Sequence, residues 1–98
     1  MHIAFIIEAD YNSGGMERML STMANRLTEW FDITIITAFN EGRESFFPIS
    51  KTVKHVDLGL AQDDYPSGRL RKQAYRERLE AYLVAHRHDV CLSLGSLE

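Results

Sequence analysis

The sequence predicts an α/β fold in which a parallel β-sheet is covered by helices on both faces. Residues 2–7 and 32–37 are continuous apolar or β-branched runs, as expected for strands buried on both sides. Between them, apolar residues recur at steps of three and four, which is the period of an α-helix. A strand, a helix and a second strand in this order form a βαβ unit with parallel strands.

The first helix is predicted from about Met16 to Glu29, with Glu17 in its first turn, where the helix dipole favours an acidic side chain. We expect its methionines to fill gaps in the core, as flexible thioethers often do. The predicted apolar stripe consists of Met16, Leu20, Met23, Ala24, Leu27 and Phe31, with Met19 beside it.

After the second strand the periodicity lapses, and residues 39–51 are predicted to form an ordered loop, which Phe46, Phe47 and Ile49 attach to the domain. Residues 53–58 then form a short strand. Its alternation of apolar and polar residues indicates an edge position with one wetter face.

Ser67 is a plausible N-cap for a second helix from about Arg69 to His86, and residues 89–94 form a fourth strand. The predicted order of elements is therefore β-α-β-β-α-β. With right-handed crossovers the strands lie in the order 3-2-1-4, and the two helices cover opposite faces of a Rossmann-like sheet.

Composition limits the function classes. The 98 residues fit one small domain, and a net charge of −3 provides no basic field for nucleic acid. The single cysteine, Cys91, excludes an intrachain disulfide and favours a cytoplasmic location. The apolar run at the start is too short to span a bilayer, so we expect no transmembrane segment.

Several other kinds of site lack support in the sequence. His86, His88 and Cys91 are too few to complete a zinc site, so no metal is expected. The dinucleotide fingerprint, the phosphate-binding P-loop motif and the G-x-S-x-G hydrolase motif are all absent. A dense basic cluster on the second helix is interpreted as a solvated face; it consists of Arg69, Arg71, Lys72, Arg76 and Arg78.

The most informative feature is the pair Gly14–Gly15, which separates the first strand from the first helix. Ligands of parallel sheets bind beyond the carboxyl ends of the strands, where helix N-termini present free N–H groups. Without Cβ atoms, both residues can adopt positive φ and let a phosphate or sugar approach the backbone. An ordinary tight turn explains the same two residues equally well.

A receiver-like phosphoacceptor domain is the alternative from another class. Glu8, Asp10, Asp57 and Ser93 all fall near the carboxyl ends of predicted strands, and clustered carboxylates there suit magnesium and phosphoryl transfer. Two features oppose it. A receiver needs a helix between its second and third strands, where this chain has a loop. Receivers also lack the Gly-Gly pair that precedes the first helix here.

Four segments together resemble the amino-terminal domain of family 4 glycosyltransferases, over residues 1 to about 96. These are Gly14-Gly15-Met16-Glu17-Arg18, Leu20-Ser21-Thr22-Met23-Ala24-Asn25, Ile33-Thr34-Ile35-Ile36-Thr37 and Glu44-Ser45-Phe46-Phe47-Pro48-Ile49. The resemblance implies half of a GT-B architecture, in which two Rossmann-like domains face a cleft. It also implies transfer with retention of configuration from a nucleotide-sugar, which is a co-substrate, with no metal or other cofactor.

By the same resemblance, Gly14, Gly15 and Met16 form the loop against the donor phosphates and sugar, supported by Ser13, Glu17 and Arg18. Ser93 and Gly95 are expected at the acceptor side. The family's second domain, with its E-x₇-E motif, is missing. We therefore expect an incomplete acceptor-side domain over residues 1–96, inactive alone, with residues 97–98 as a tag scar.

The implied partners are a nucleotide-sugar donor and a glycan or lipid-linked acceptor. Peripheral contact with the inner face of a membrane is compatible with such an acceptor. An open edge at the fourth strand also predicts that this chain self-associates.

Overall fold

The computed structural model describes residues 1–94, which form a parallel four-stranded sheet, two α-helices and one 3₁₀ turn. Each predicted helix and strand is present, with ends within two residues of those expected, whereas the 3₁₀ turn lies in a segment predicted only as a polar connection. Gly95 and the tag scar proposed at residues 97–98 lie outside the described residues. The elements are β1 (His2–Ile7), α1 (Gly15–Leu27), β2 (Asp32–Thr37), β3 (Lys54–Asp57), the 3₁₀ turn (Gln62–Asp64), α2 (Gly68–Ala85) and β4 (Val90–Leu94).

The strands lie in the predicted order β3-β2-β1-β4, and all three pairings are parallel. At the centre of the sheet, Phe5 of β1 pairs with Ile35 of β2 on one side and Leu92 of β4 on the other. The chain leaves β1 towards β2 but returns from β3 to the opposite side of β1. The sheet therefore has a switch in strand order between β1 and β4.

The two helices cover opposite faces of the sheet, as predicted. Successive side chains of β1 point to opposite faces, so Phe5 joins the cluster that contains Leu20 of α1. Ile6 joins the cluster that contains Tyr75 and Leu79 of α2. All five side chains are buried, and each such burial stabilises the fold by about 1.5–3 kcal/mol.

Two predicted core methionines are instead exposed. Met19 lies about 100° around the helix from Leu20, which is the centre of the buried stripe, so its side chain points away from the sheet. Met16 lies in the first turn, beyond the carboxyl ends of the strands. Of the three methionines of α1, Met23 alone packs against the core.

The β2–β3 loop is held mainly by polar contacts, which corrects part of the prediction for its apolar residues. Phe46 is 58% exposed and stacks edge-to-face on Phe47, while Ile49 packs against the core as expected. The side chain of Asn25 in α1 donates to the carbonyl oxygen of Pro48 at 2.9 Å and accepts from the N–H of residue 50 at 2.6 Å. Asn25 therefore holds two points of the loop, and the hydroxyls of Thr52 in the loop and of Thr28, the C-cap of α1, form a further hydrogen bond at 2.9 Å.

Candidate functional site: a cleft at the switch in strand order

A cleft of about 280 Å³ lies between β1 and β4, at the switch in strand order. Its floor includes Ile7 and Leu94, the last residues of these two strands, which pair in the sheet. Residues of the β1–α1 loop and the first turn of α1 form one wall, and the 3₁₀ turn and α2 form the other. This is the position at which open α/β sheets bind ligands.

Gly14 is the N-cap of α1 and Gly15 is its first residue. Neither has a positive φ, so neither uses the backbone freedom that glycine offers; Gly14 is extended, with φ −71°. A Cβ atom on Gly14 would lie 2.8 Å from the Oε1 atom of Glu17, whereas one on Gly15 would meet nothing within 4 Å. The fold would therefore accept a residue with a side chain in place of Gly15.

The predicted loop residues divide into two groups. Met16 and Glu17 line the cleft, and the two glycines precede them directly in the chain. Ser13, Arg18 and Ser93 are exposed and do not line it. Gly95, the other residue expected at the acceptor side, lies outside the described part of the chain.

Tyr75 and Glu8 bring two complementary polar groups to the cleft. The side chain of Tyr75 is 4% exposed and packs edge-to-face against Phe39, yet it lines the cleft. Burial, together with the negative charge of Glu8, raises the pKa of the Tyr75 hydroxyl to about 12. The hydroxyl is therefore protonated near neutral pH and available as a hydrogen-bond donor.

Behind the β1–α1 loop lies a buried polar network centred on Asp10, whose side chain is 2% exposed. One carboxylate oxygen of Asp10 accepts a hydrogen bond from Asn40 Nδ2 at 2.6 Å. The other accepts from the hydroxyl of Ser45 and lies 3.2 Å from His55 Nε2. The backbone of Asp10 is also held, because its N–H donates to Asn40 Oδ1 and its C=O accepts from the N–H of Phe46.

The network keeps Asp10 ionised. Burial alone raises the pKa of this carboxyl group, but the hydrogen bonds from His55, Ser45 and Asn40, with the charge of His55, outweigh burial and hold the pKa below 3.8. Asp10 thus joins the β1–α1 loop to β3 and to the β2–β3 loop. One end of the glycine-bearing loop is fixed by this residue and the other by α1.

Two carboxylates of the receiver-like alternative, Asp10 and Asp57, have structural hydrogen bonds, whereas the third, Glu8, lines the cleft. Asp57 accepts from the hydroxyl of Thr37 at 2.8 Å, from the N–H of Asn40 at 3.1 Å and from the N–H of Gly59 at 3.0 Å. Asp10 is enclosed by its hydrogen-bond partners. Residues 38–53 contain no helix, whereas a receiver needs one between its second and third strands. Within residues 1–94, no group of three or more His, Cys, Asp or Glu side chains is placed to hold a metal ion.

No site role was predicted for Asn40, Ser45 or His55. Asn40 lies three residues after the end of β2, and this position near the end of a strand was the one available signal. The sequence contains no such signal for Ser45 or His55, because their contacts with Asp10 join segments that are 35 and 45 residues apart in the chain.

A larger groove of about 650 Å³ runs along the exposed face of α2 and is lined by Gly68, Arg69, Lys72, Gln73 and Arg76. Within the described residues, α2 alone supplies its walls, so no second element shapes it for a ligand. The guanidinium group of Arg78 donates to the carbonyl oxygen of Leu58 at 3.3 Å. This side chain of the basic cluster therefore links α2 to the segment that follows β3.

Comparison with known proteins provides one informative relative. No protein-family model matches the chain. Over 58 residues, 59% of its length, the chain is 47% identical to GalNAc-alpha-(1->4)-GalNAc-alpha-(1->3)-diNAcBac-PP-undecaprenol alpha-1,4-N-acetyl-D-galactosaminyltransferase of Campylobacter jejuni. The match covers 15% of that protein, so the chain corresponds to a minor part of the relative's length. None of the helices described is long and apolar enough to cross a membrane.

Proposed function

We propose that this chain is the amino-terminal, acceptor-side part of a glycosyltransferase that transfers a sugar from a nucleotide-sugar donor with retention of configuration. The observation that carries the proposal is the cleft at the switch in strand order, with Gly14 and Gly15 at the start of α1 beside it. The 47% identity to a glycosyltransferase over 58 residues supports the same class.

The absence of a side chain at Gly15 leaves room for a ligand at the start of α1. A glycine in a helix is less favourable than alanine by about 1 kcal/mol in the interior, and neither its φ nor a neighbouring atom requires it here. The first-turn N–H groups lack intrahelical partners, and no side chain caps this helix. A donor can therefore approach these N–H groups closely, since no Cβ atom at Gly15 stands in the way.

The acceptor is a glycan or a lipid-linked sugar in this proposal, since the relative's name contains a sugar chain on undecaprenyl diphosphate. The site of action is the cytoplasm or the inner face of the membrane. The catalytic groups and the remaining donor contacts belong to a second domain beyond residues 1–96, because stabilising a departing nucleoside diphosphate requires cationic groups facing it.

The test is transfer by the whole protein with a panel of nucleotide-sugars and glycan or lipid-linked acceptors, with products identified by mass spectrometry and their anomeric configuration by NMR. A product that retains the donor's configuration is expected. Absence of transfer from every donor, by a folded protein, contradicts the proposal, and an inverted product contradicts its stereochemical part.

A further inference from the structure

We propose that the cleft between β1 and β4 is a subsite for an uncharged sugar ring, in which the Tyr75 hydroxyl donates to one ring hydroxyl and the Glu8 carboxylate accepts from another. The inference rests on the proposed function, which supplies sugars as substrates. It adds the chemistry of the subsite and two residues that recognise the sugar.

The charge of the cleft argues against a phosphate inside it. Glu8 and Glu17 both line the cleft, and no Lys or Arg is among its described lining residues. The Glu17 carboxylate also lies close to the Cα atom of Gly14, at the positive end of the helix dipole, where an anion would otherwise bind. A diphosphate in the cleft would face two carboxylates, whereas sugar hydroxyls donate hydrogen bonds to carboxylates.

The hydrogen-bonding capacity of the cleft suits a polyol. Within residues 1–94, nothing hydrogen-bonds to the Tyr75 hydroxyl, although only 4% of this residue is exposed. Because Tyr75 lines the cleft, its hydroxyl is free to donate a hydrogen bond to a ligand there. Gln62, on the 3₁₀ turn, adds an amide to the same wall.

The volume of the cleft and its apolar floor suit a single sugar ring. A volume of about 280 Å³ is at the lower limit of ligand pockets, which start at about 300 Å³, so a whole nucleotide-sugar does not fit inside. Ile7 and Leu94 form an apolar floor against which the C–H face of a ring can pack. The ring belongs either to the acceptor or to the transferred sugar, and kinetics separate the two.

The first test uses Tyr75→Phe in the whole protein, because this change removes a single hydroxyl and keeps the ring packed on Phe39. Tyr82→Phe is the matched control, since Tyr82 lies two turns further along α2 and stacks on His86 away from the cleft. We expect Tyr75→Phe to raise KM about tenfold for one substrate, as one neutral hydrogen bond allows, and Tyr82→Phe to change neither KM.

The substrate whose KM rises identifies the bound ring. A deoxy analogue of that substrate that lacks the contacted hydroxyl should then be used equally well by wild type and Tyr75→Phe. Wild-type kinetics for Tyr75→Phe with every substrate overturn the inference and leave the proposed function standing.

The second test needs no transfer activity. Methyl pyranosides and inorganic pyrophosphate are titrated separately into the 98-residue chain while backbone amide shifts are followed by NMR. Pyranosides should shift Glu8, Ala9 and Leu94, and Tyr75→Phe should weaken this response, whereas pyrophosphate should leave these amides unchanged. A response to pyrophosphate but to no pyranoside contradicts the inference. Pyranoside binding without transfer by the whole protein contradicts the proposed function alone.

Discussion

Replacing Asp10 by asparagine should destabilise the fold far more than the same change at a surface aspartate. The introduced amide can still accept a hydrogen bond from Asn40 through its oxygen, but its nitrogen cannot accept from Ser45 or His55. Hydrogen bonds to a charged group contribute about 1.5–3 kcal/mol each, so the loss of two costs about 3 kcal/mol. For a domain of this size, that lowers the melting temperature by about 12–24 °C.

Asp32→Asn is the matched control. Asp32 also pairs with a histidine, His2, at 3.7 Å, but its side chain is 74% exposed, and exposed pairs contribute at most about 1 kcal/mol. Urea unfolding at pH 7, followed by circular dichroism, measures both variants. If the free energy of unfolding of Asp10→Asn lies within about 0.5 kcal/mol of the wild-type value, Asp10 does not hold the loop in place.

The acid dependence of stability tests the same network. The pKa of Asp10 is lower in the folded chain than its ordinary value of 3.8, so the unfolded chain binds more protons as the pH falls below about 5. Stability from Asp10 is therefore complete above this range and is lost as the pH falls through the folded pKa. Wild type should lose more stability than Asp10→Asn between about pH 5 and pH 2, and parallel curves contradict this expectation.

Three further predictions concern the rest of the molecule. Because the pKa of Tyr75 is about 12, the chain should lose stability as the pH rises above about 10, and Tyr75→Phe should reduce this loss; identical alkaline unfolding of the two proteins contradicts the burial of the hydroxyl. The 98-residue chain should self-associate at micromolar concentration through the outer edge of β4, which pairs with β1 alone among the described strands, and Leu92→Lys should weaken this in light scattering; a monomeric parent contradicts the open edge. The same chain should bind nucleotide-sugars more weakly than a Kd of about 1 μM, and calorimetry giving tighter binding contradicts the assignment of most donor contacts to another domain.

The sheet and its helices were predictable because each element has a local signal. Apolar runs located the strands, the step of three and four residues located the helices, and the handedness of crossovers then fixed the strand order. Ser67 illustrates how local this information is, since its hydroxyl accepts from the N–H of Leu70 three residues later. The exposure of Met19 was not predicted, because the helical period alone does not give the width of the buried stripe.

The site was less predictable because its contacts join distant segments. The position of Gly14 and Gly15 beside a cleft followed from the order strand, turn, helix. Their conformation could not be predicted, because glycine permits positive φ without requiring it, and neither residue adopts it. Asp10 was recognised only as a carboxylate near a strand end. Its partners Asn40 and His55 lie 30 and 45 residues away, in a loop and an edge strand, and no local pattern indicates that they contact Asp10.

Transfer by Gly15→Val, compared with Gly68→Val, tests most directly whether the glycine loop serves a sugar-transfer site. Both glycines are the first residue of a helix, and a Cβ atom on either meets nothing within 4 Å, so the two substitutions have similar effects on folding. We expect kcat/KM of the whole protein to fall at least about 100-fold in Gly15→Val, near 2.7 kcal/mol, and to stay within about twofold in Gly68→Val. Equal transfer by folded Gly15→Val and wild type would contradict a role of this loop in sugar transfer.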